Sequence, residues 1–482
     1  VKQTTRILIA APAGYVGRQL LARFGRESDV HVRVLVADAR RIRQDLHPET
    51  EIVEGSLLEP AILLEAAQGI DVAYYPVRVA VLNHALEPQL RDFARKFRDA
   101  CIAAGVKRIV YVGSPTASAQ PTRLLSTARE TMQVLGAYPE RIQLVSLCPG
   151  LLIGPGSVSY ELLAGLARIP PILFLPSWTR AEVRPLALRD MIEYLVHTAS
   201  LSTKDPLVLE VGAGRVSVSD LLRLVMQITH RSRVAIRVPF AIPRLSAAVL
   251  TAATPFSYPM SLELVRSLDA LRQGPPDAGS DRSRDYFPEI SPLTCEQAIA
   301  EAVAETAADH VESRWTDSLA DVSYRSSESA MRQARYQDVR RQDFGDLPRS
   351  RVFRSMLALG GKAGWFSFDL LWRIRGLLDK LLGGFGTSVG RRSSRDLRTG
   401  DMLDVWRVVD VVENERLLLE AQMNVFGAAW LEFRLEGNVL VQTAYYSPGG
   451  IVGVLYWYSM LPFHGFIFPD MVKGIVARAR ED

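Results

Sequence analysis

The chain is poor in the residues that staple or metallate small domains. Its three cysteines, Cys101, Cys148 and Cys295, lie far apart among 482 residues, and no Cys-x-x-Cys occurs. A disulfide framework and a cysteine-based zinc site are therefore not expected, and a reducing compartment fits. The seven histidines are scattered without metal-ligand spacing, so no metal is expected either. Charge of one sign is also missing. The formal net charge is +4, with no dense basic run interleaved with aromatics, which gives no reason to expect nucleic acid as a partner. The first ten residues lack the apolar core and cleavage site of a signal peptide. They alternate into a strand and read as mature protein, and a cytoplasmic location is expected. The last absence is local: residues 437–469 hold no Asp, Glu, Lys or Arg. Within them "IVGVLYWYSMLPF" is long and apolar, but as a membrane span it is short, because Pro462 and His464 interrupt it. It reads as a buried or cavity-lining helix, with membrane contact as the alternative.

What is present points to several domains. The length exceeds one ordinary core, and 48% apolar with 23% charged residues suits a globular chain. Over residues 1–150 short apolar strands ("RILIAA", "HVRVLVAD", "EIVEGSL", "DVAYYPV", "RIVYVGS", "IQLVSLCPGLLIG") alternate with amphipathic helices. That pattern predicts an α/β fold, a Rossmann-type parallel sheet covered on both faces, with ligands at the carboxyl ends of the strands. Residues 151–312 read as the remainder of this unit and a small substrate-binding lobe. They include a helix entered through Asp190 as N-cap and another capped by Ser217 or Ser219. Residues 313–345 are polar and weakly periodic, a linker able to contribute an edge strand. Residues 346–482 hold a helical stretch "FSFDLLWRIRGLLDKLL", four strand candidates and a long final helix from Gly450. This is an α+β domain whose sheet curls around its helix.

The stretch Ala11-Pro-Ala-Gly14-Tyr15-Val16-Gly17 follows the first strand and opens a helix. A dinucleotide fingerprint uses its first glycine for the tight turn, its second for close approach to the pyrophosphate and its third for helix packing. Here alanine stands first and the other two glycines are kept. Asp38, one place past the strand-end position Ala37, is suited to ribose hydroxyls, and Arg40 and Arg41 after it are suited either to a ribose phosphate or to the solvated surface. NAD and NADP both stay open.

These motifs, with "GYVG", "EGSLLEP", "AGVKRIVYVGS", "CPGLLIGPGS" and "VRPLALRDMIEYL", resemble the extended and atypical short-chain dehydrogenase/reductase family. The nearest resemblance is to NAD-dependent epimerase or NmrA-like proteins carrying a C-terminal DUF2867 domain. The last unit resembles that domain through "GWFSFDLLWRIRGLLDKLLGG", "DVWRVVD" and "LYWYSMLPFHGFIF". DUF2867 in turn resembles the START/SRPBCC helix-grip fold, which encloses an apolar cavity. The resemblance implies a cofactor-binding set of Ala11, Gly14, Tyr15, Val16, Gly17, Asp38 and Arg40, joined by Ser56, Leu57, Pro76 and Pro149. Ser56 stands where the family usually has an adenine-binding Asp. Ser114 takes the place of the substrate-positioning serine. The family's proton-donating tyrosine and its lysine fall on Arg123 and Thr127. An arginine stays protonated and a threonine brings no charge, so neither substitutes.

Other groups must then carry any proton. Tyr75, ending the fourth strand, and His84 are candidates, with Tyr74 and Arg78 at the same edge. Cys148 reads as packing. In the last unit five of the seven tryptophans (Trp365, Trp372, Trp406, Trp430 and Trp457) crowd together, which suits an apolar pocket. Asp369 with Arg373, His464 and above all Glu432 are its polar handles. Glu432 is a candidate acid or base if its strand face is the interior one. The expected function is an atypical oxidoreductase using NADP(H) or NAD(H) on an apolar or polyketide-like small molecule. The alternatives are a non-redox cyclase or isomerase using the C-terminal cavity, with a structural or absent dinucleotide, and a dinucleotide-sensing or accessory binding protein.

Overall fold

The structure, a computed structural model, describes residues 4–43, 46–77, 87–114, 122–169, 172–231, 234–274, 282–319, 327–360, 364–365, 391–393, 396–422 and 425–481. The chain forms two compact units, residues 1–254 with 259–323, and residues 255–258 with 324–482.

In the first unit the apolar runs become strands β1 (Thr5–Ala10), β2 (Val30–Val36), β3 (Glu51–Glu54), β4 (Val72–Tyr75), β5 (Arg108–Val112) and β6 (Gln143–Pro149). The run "IQLVSLCPGLLIG" does not stay one strand. It breaks at Gly150, where a Cβ would lie 2.6 Å from the Arg184 backbone nitrogen. Beyond it come β7 (Leu151–Ile153), β8 (Ile172–Leu175), β9 (Glu182–Val183), β10 (Pro185–Ala187), β11 (Leu207–Val211), β12 (Val216–Ser217) and β13 (Val234–Arg237). Seven strands pair in parallel in the order β11-β6-β5-β4-β1-β2-β3, a Rossmann-type sheet. The order reverses between β1 and β4, and such a switch point opens a crevice at the carboxyl edge. The strands are linked and flanked by helices α1 (Tyr15–Phe24), α2 (Pro60–Ala67), α3 (Glu87–Ala103), α4 (Arg123–Leu135), α5 (Val158–Ala167) and α6 (Leu188–His197). They cover both sheet faces, which is why the strands are apolar throughout rather than alternating. One core holds Tyr74 with Phe24 and Leu195, the other Tyr75 with Phe93 and Phe97.

Helices α7 (Val218–Ile228), α8 (Pro243–Ala253), α9 (Tyr258–Arg272), α10 (Ser283–Tyr286) and α11 (Cys295–Ala307) complete the unit's helical layer. Ser217 caps α7 by accepting from the Asp220 amide. Asp190 does not cap α6, whose N-cap is Ala187. Its carboxylate accepts from the Leu293 amide at 2.7 Å instead.

The second unit begins earlier in sequence than its composition suggested. The polar stretch forms α12 (Ser327–Arg332) and the edge strand β14 (Tyr336–Asp343), which pairs with the last strand of the sheet. Then follow α13 (Arg349–Leu357), β15 (Met402–Leu403), β16 (Trp406–Val412), β17 (Arg416–Ala421), β18 (Gly427–Glu436), β19 (Val439–Pro448) and α14 (Gly450–Glu481). The antiparallel order is β14-β19-β18-β17-β16-β15. Leu431, Phe433, Leu440 and Ala444 on the sheet pack with Met471, Ile475 and Ala479 of α14. A sheet closed over one long helix is a helix-grip-like α+β arrangement. The predicted helix "FSFDLLWRIRGLLDKLL" lies outside the described residues.

Pro462 does not interrupt α14, which runs 32 residues through both Pro462 and Pro469. A proline orphans the carbonyl four residues earlier. For Pro462 that residue is Tyr458, which is 57% exposed, so water can take the lost partner's place. The first half of α14 is apolar and charge-free yet largely open, with Ile451, Leu455 and Phe466 exposed. By length and composition alone it could cross a membrane.

Candidate functional site

The turn after β1 is shaped by contacts that only certain residues permit. Gly14 is the N-cap of α1 in an extended conformation, and no side chain caps the helix. The first intrahelical bond runs from the Arg18 amide to the Gly14 carbonyl at 3.0 Å. A helix N-terminus without a side-chain cap favours an anion. A Cβ on Gly17 would lie 2.7 Å from the Pro12 carbonyl oxygen, so this glycine performs the packing role expected of the third in the fingerprint. Ala11 has φ +50°, the left-handed region that glycine occupies without a Cβ clash. Ala11→Gly is expected to relieve roughly 1–2 kcal/mol of backbone strain. It also loosens the unfolded chain by about 0.4–1 kcal/mol. The net gain, on the order of 0.5 kcal/mol, is measurable by urea unfolding.

At the end of β2 the two coenzyme candidates are engaged with each other. Asp38 caps a short 3₁₀ turn by accepting from the Arg40 amide at 2.9 Å, and its Oδ2 lies 2.8 Å from the Arg40 guanidinium. Asp38 is buried, whereas a third of the Arg40 side chain reaches solvent (34%). The Arg18 guanidinium donates to the Arg41 carbonyl at 2.8 Å, tying α1 to this turn. After β3, Ser56 accepts from the Leu58 amide at 3.3 Å, a local turn contact, and Leu57 is buried.

A cavity of about 180 Å³ opens where the carboxyl ends of β4 and β5 meet the start of α1. Tyr15, Val16, Pro76 and Ser114 line one side of it. Leu124, Leu125 and Ala128 of α4 and Met260, Leu264 and Leu268 of α9 form the opposite wall. The structure thus brings together four residues expected from the sequence: Tyr15, Val16, Pro76 and Ser114. The Tyr15 hydroxyl donates to the Pro155 carbonyl at 3.1 Å, and burial pushes its phenol far above the ordinary tyrosine range. It is a wall, not a proton source at neutral pH. Pro149 is buried in β6, and the cavity is lined instead by Gly150 and Leu151 just after it. Cys148 is fully buried, its Sγ 3.5 Å from Ser146 Oγ, as packing requires.

Two expectations about this edge are corrected. Tyr75 does not face the mouth. Strand alternation turns it into the second core, where its ring lies 5.1 Å from that of Phe93 and 5.4 Å from that of Phe97. Burial raises its phenol well above the usual range, so it cannot exchange a proton there. Tyr74 points to the other face and donates to the Leu195 carbonyl at 3.0 Å. On α4 the cavity-facing pair four residues apart is Leu124 with Ala128, not Arg123 with Thr127. Arg123 is exposed, and the Thr127 hydroxyl donates to the Arg123 carbonyl at 2.8 Å. In either register no tyrosine–lysine pair stands on this helix. Arg78 and His84 lie outside the described residues. The wall from α9 was missed in the sequence, although Met260, Leu264, Leu268 and Leu271 already recur at helical spacing.

In the second unit a cavity of about 190 Å³ is lined by Trp365, Trp406, Trp430, Tyr446, Trp457 and Phe468 among others. For scale, an apolar cavity of about 150 Å³ binds benzene. His464 also lines it, its Nδ1 3.5 Å from Asp338 Oδ2. Glu432 does not. Its strand neighbours Leu431 and Phe433 take the helix side, and Glu432 is only 5% exposed on the opposite side. There Arg416 Nε lies 2.8 Å and Arg434 Nη2 2.9 Å from its Oε1, and the Tyr445 hydroxyl donates to Oε2 at 3.0 Å. A carboxylate held by two arginines is a structural anion, which corrects the acid–base reading. Trp372, Asp369 and Arg373 lie outside the described residues. Among the described residues no group of three or more His, Cys, Asp or Glu is placed to hold a metal ion.

Residues 13–142 match the family model described as NAD(P)H-binding, and residues 330–471 match that of DUF2867, a protein of unknown function. The chain therefore joins an N-terminal NAD(P)-binding Rossmann-like domain to a C-terminal DUF2867 domain. No curated protein matches it. Among solved structures, the triphenylmethane reductase of Citrobacter sp. aligns with 62% of this chain and 99% of its own at 15% identity and TM-score 0.50. The protein gox2253 aligns with 63% of this chain and 98% of its own, at 17% identity and TM-score 0.47. A UDP-glucose 4-epimerase of Thermotoga maritima, solved with UDP-glucose, covers 63% and 99% at 11% identity and TM-score 0.46. At such identities the likeness is one of fold. The reductase alignment carries it, and what the two share is the Rossmann-type fold of the first unit.

Proposed function

We propose that the protein is an NAD(P)(H)-dependent oxidoreductase acting on an apolar small molecule. The observation that carries this reading is the juxtaposition of the uncapped α1 N-terminus with an apolar cavity at the carboxyl edge of the switch-point sheet. The residues present fit the cofactor. The amides of Tyr15, Val16 and Gly17 would hold the pyrophosphate, and Pro76 and Ser114 would flank the nicotinamide end. Asp38 is already committed to Arg40, which favours a 2′-phosphate against the guanidinium and hence NADP(H). When bound, the dinucleotide supplies or accepts a hydride beside the cavity. The walls from α4 and α9 exclude water and take up the substrate's apolar body, and the Ser114 hydroxyl orients its polar atom. The apolar cavity of the second unit serves ligand binding rather than acid–base chemistry, since Glu432 turns away from it.

The test is single-turnover reduction of apolar carbonyl and conjugated compounds by NADPH carrying deuterium at both positions of C4 of its nicotinamide ring. Deuterium should appear in the product, and Ser114→Ala should slow transfer about 10²-fold while NADPH still binds. NADPH bound in place with no deuterium transferred to any acceptor would refute the oxidoreductase reading.

A further inference from the structure

The outer face of the small lobe combines three features that a soluble surface rarely brings together. The first is apolar exposure. In the parallel pair β8–β13, Ile172 stands opposite Val234 and Phe174 opposite Ile236. All four point outward: Val234 is 62% exposed and Phe174 59%, while Leu173 and Leu175 point inward. Phe240 (60%) and Leu245 (58%) continue the surface. Helix α8 is turned the same way, with Ser246, Ala247 and Leu250 buried and Leu245 and Val249 outside.

The second feature is rigidity. The Val238 amide donates to the Leu175 carbonyl at 2.9 Å and the Ser177 amide to the Phe240 carbonyl at 3.2 Å. Trp178 Nε1 donates to Ser246 Oγ at 3.0 Å. These bonds join β8, β13, the Phe240 loop and α8 into one platform, so the exposed rings do not depend on a loose loop.

The third feature is charge. Residues 162–181 and 231–262 contain no Asp or Glu. They carry exposed Arg168, Arg180, Arg231, Arg237 and Arg244, and none of these five forms an ion pair among the described residues. Other arginines of the same unit do have acidic partners, as Arg23 has Glu193 and Arg33 has Glu51.

We infer that this platform docks the protein on an anionic lipid surface, with Phe174, Phe240 and Leu245 entering the interface and the arginines meeting headgroup phosphates. Exposed apolar side chains on segments that carry arginine and no acidic residue are the combination that an anionic interface rewards on both counts. A second copy of this chain fits less well, because a two-fold contact would press like arginines together. Nucleic acid fits less well too, because aliphatic Ile172, Val234 and Leu245 would sit against a hydrated backbone.

The experiment is co-sedimentation of the full chain with phosphatidylcholine vesicles, with and without phosphatidylserine. Binding is expected to the anionic vesicles alone and to fall steeply with added salt. Arg244→Ala should weaken it about fivefold, the worth of one arginine near the surface. Phe174→Ser should also weaken it, and the exposed positions should leave the melting temperature unchanged. Three results would overturn the inference: no sedimentation with anionic vesicles, binding untouched by either variant (which would place it on α14 instead), or self-association abolished by Phe174→Ser without lipid binding.

Discussion

Gly17→Ala is expected to abolish dinucleotide binding and to destabilise the first unit by about 1–3 kcal/mol. The added Cβ would meet the Pro12 carbonyl carbon and Cα at 2.9 Å as well as the carbonyl oxygen at 2.7 Å. These are backbone atoms, and they cannot swing aside as a side-chain tip would. Relief requires α1 to move away from the turn, and the same movement withdraws the amides of Tyr15 and Val16 from the pyrophosphate site. A displacement on the order of 1 Å at such a site costs about 10²-fold. Isothermal titration with NADPH should therefore show at least that loss. Chemical denaturation would separate the stability term from it.

The second large effect lies in the other unit. Arg416→Met is expected to destabilise the DUF2867 unit by about 3–5 kcal/mol. Arg416 is buried, its Nε 2.8 Å from Glu432 Oε1, and its Nη1 lies 3.0 Å from Glu328 Oε1 and 3.4 Å from Asp410 Oδ2. Removing the cation that touches all three carboxylates leaves them facing one another, with Arg434 still on Glu432 and Arg332 still on Glu328. The pH dependence follows from Glu328. Burial pushes its carboxyl up, but the hydrogen bond and charge of Arg416, then of Arg332, outweigh this and hold it below the ordinary range. A carboxylate depressed in the folded state contributes stability that is present above its unfolded value of about 4.3 and is lost as pH falls through the folded value. Wild-type protein should thus lose stability below about pH 4. The Met variant, already lacking that contribution, should show a flatter acid limb in circular-dichroism titrations.

The parts of the fold legible in the sequence were those with one physical solution. Apolar strands alternating with helices can only be covered on both faces, and Gly14 and Gly17 at their spacing fit only a close helix approach. The side-chain directions were not legible. In a strand buried on both faces, "AYY" gives no sign of which tyrosine faces the crevice. Both turned inward, Tyr74 to one core and Tyr75 to the other. On α4, Arg123 with Thr127 and Leu124 with Ala128 are equally four residues apart, and only the packed structure shows that the apolar pair meets the cavity. "WLEFRL" alternates cleanly, but the sign of the alternation depends on where α14 lies. Tertiary packing settled each of these ambiguities, and that packing moved the candidate chemistry away from Tyr75 and Glu432 and left it with Ser114 and the α1 turn.

That turn is the centre of the account. The most direct test is equilibrium titration of the 482-residue chain, cleared of any carried-over nucleotide, with NADPH and with NADH. It would be followed by nicotinamide fluorescence and checked against Gly17→Ala. Saturable binding of a dinucleotide by the wild type, tighter for NADPH and lost in the variant, is the predicted result. No binding of either form by a folded chain, or equal binding by Gly17→Ala, would contradict it.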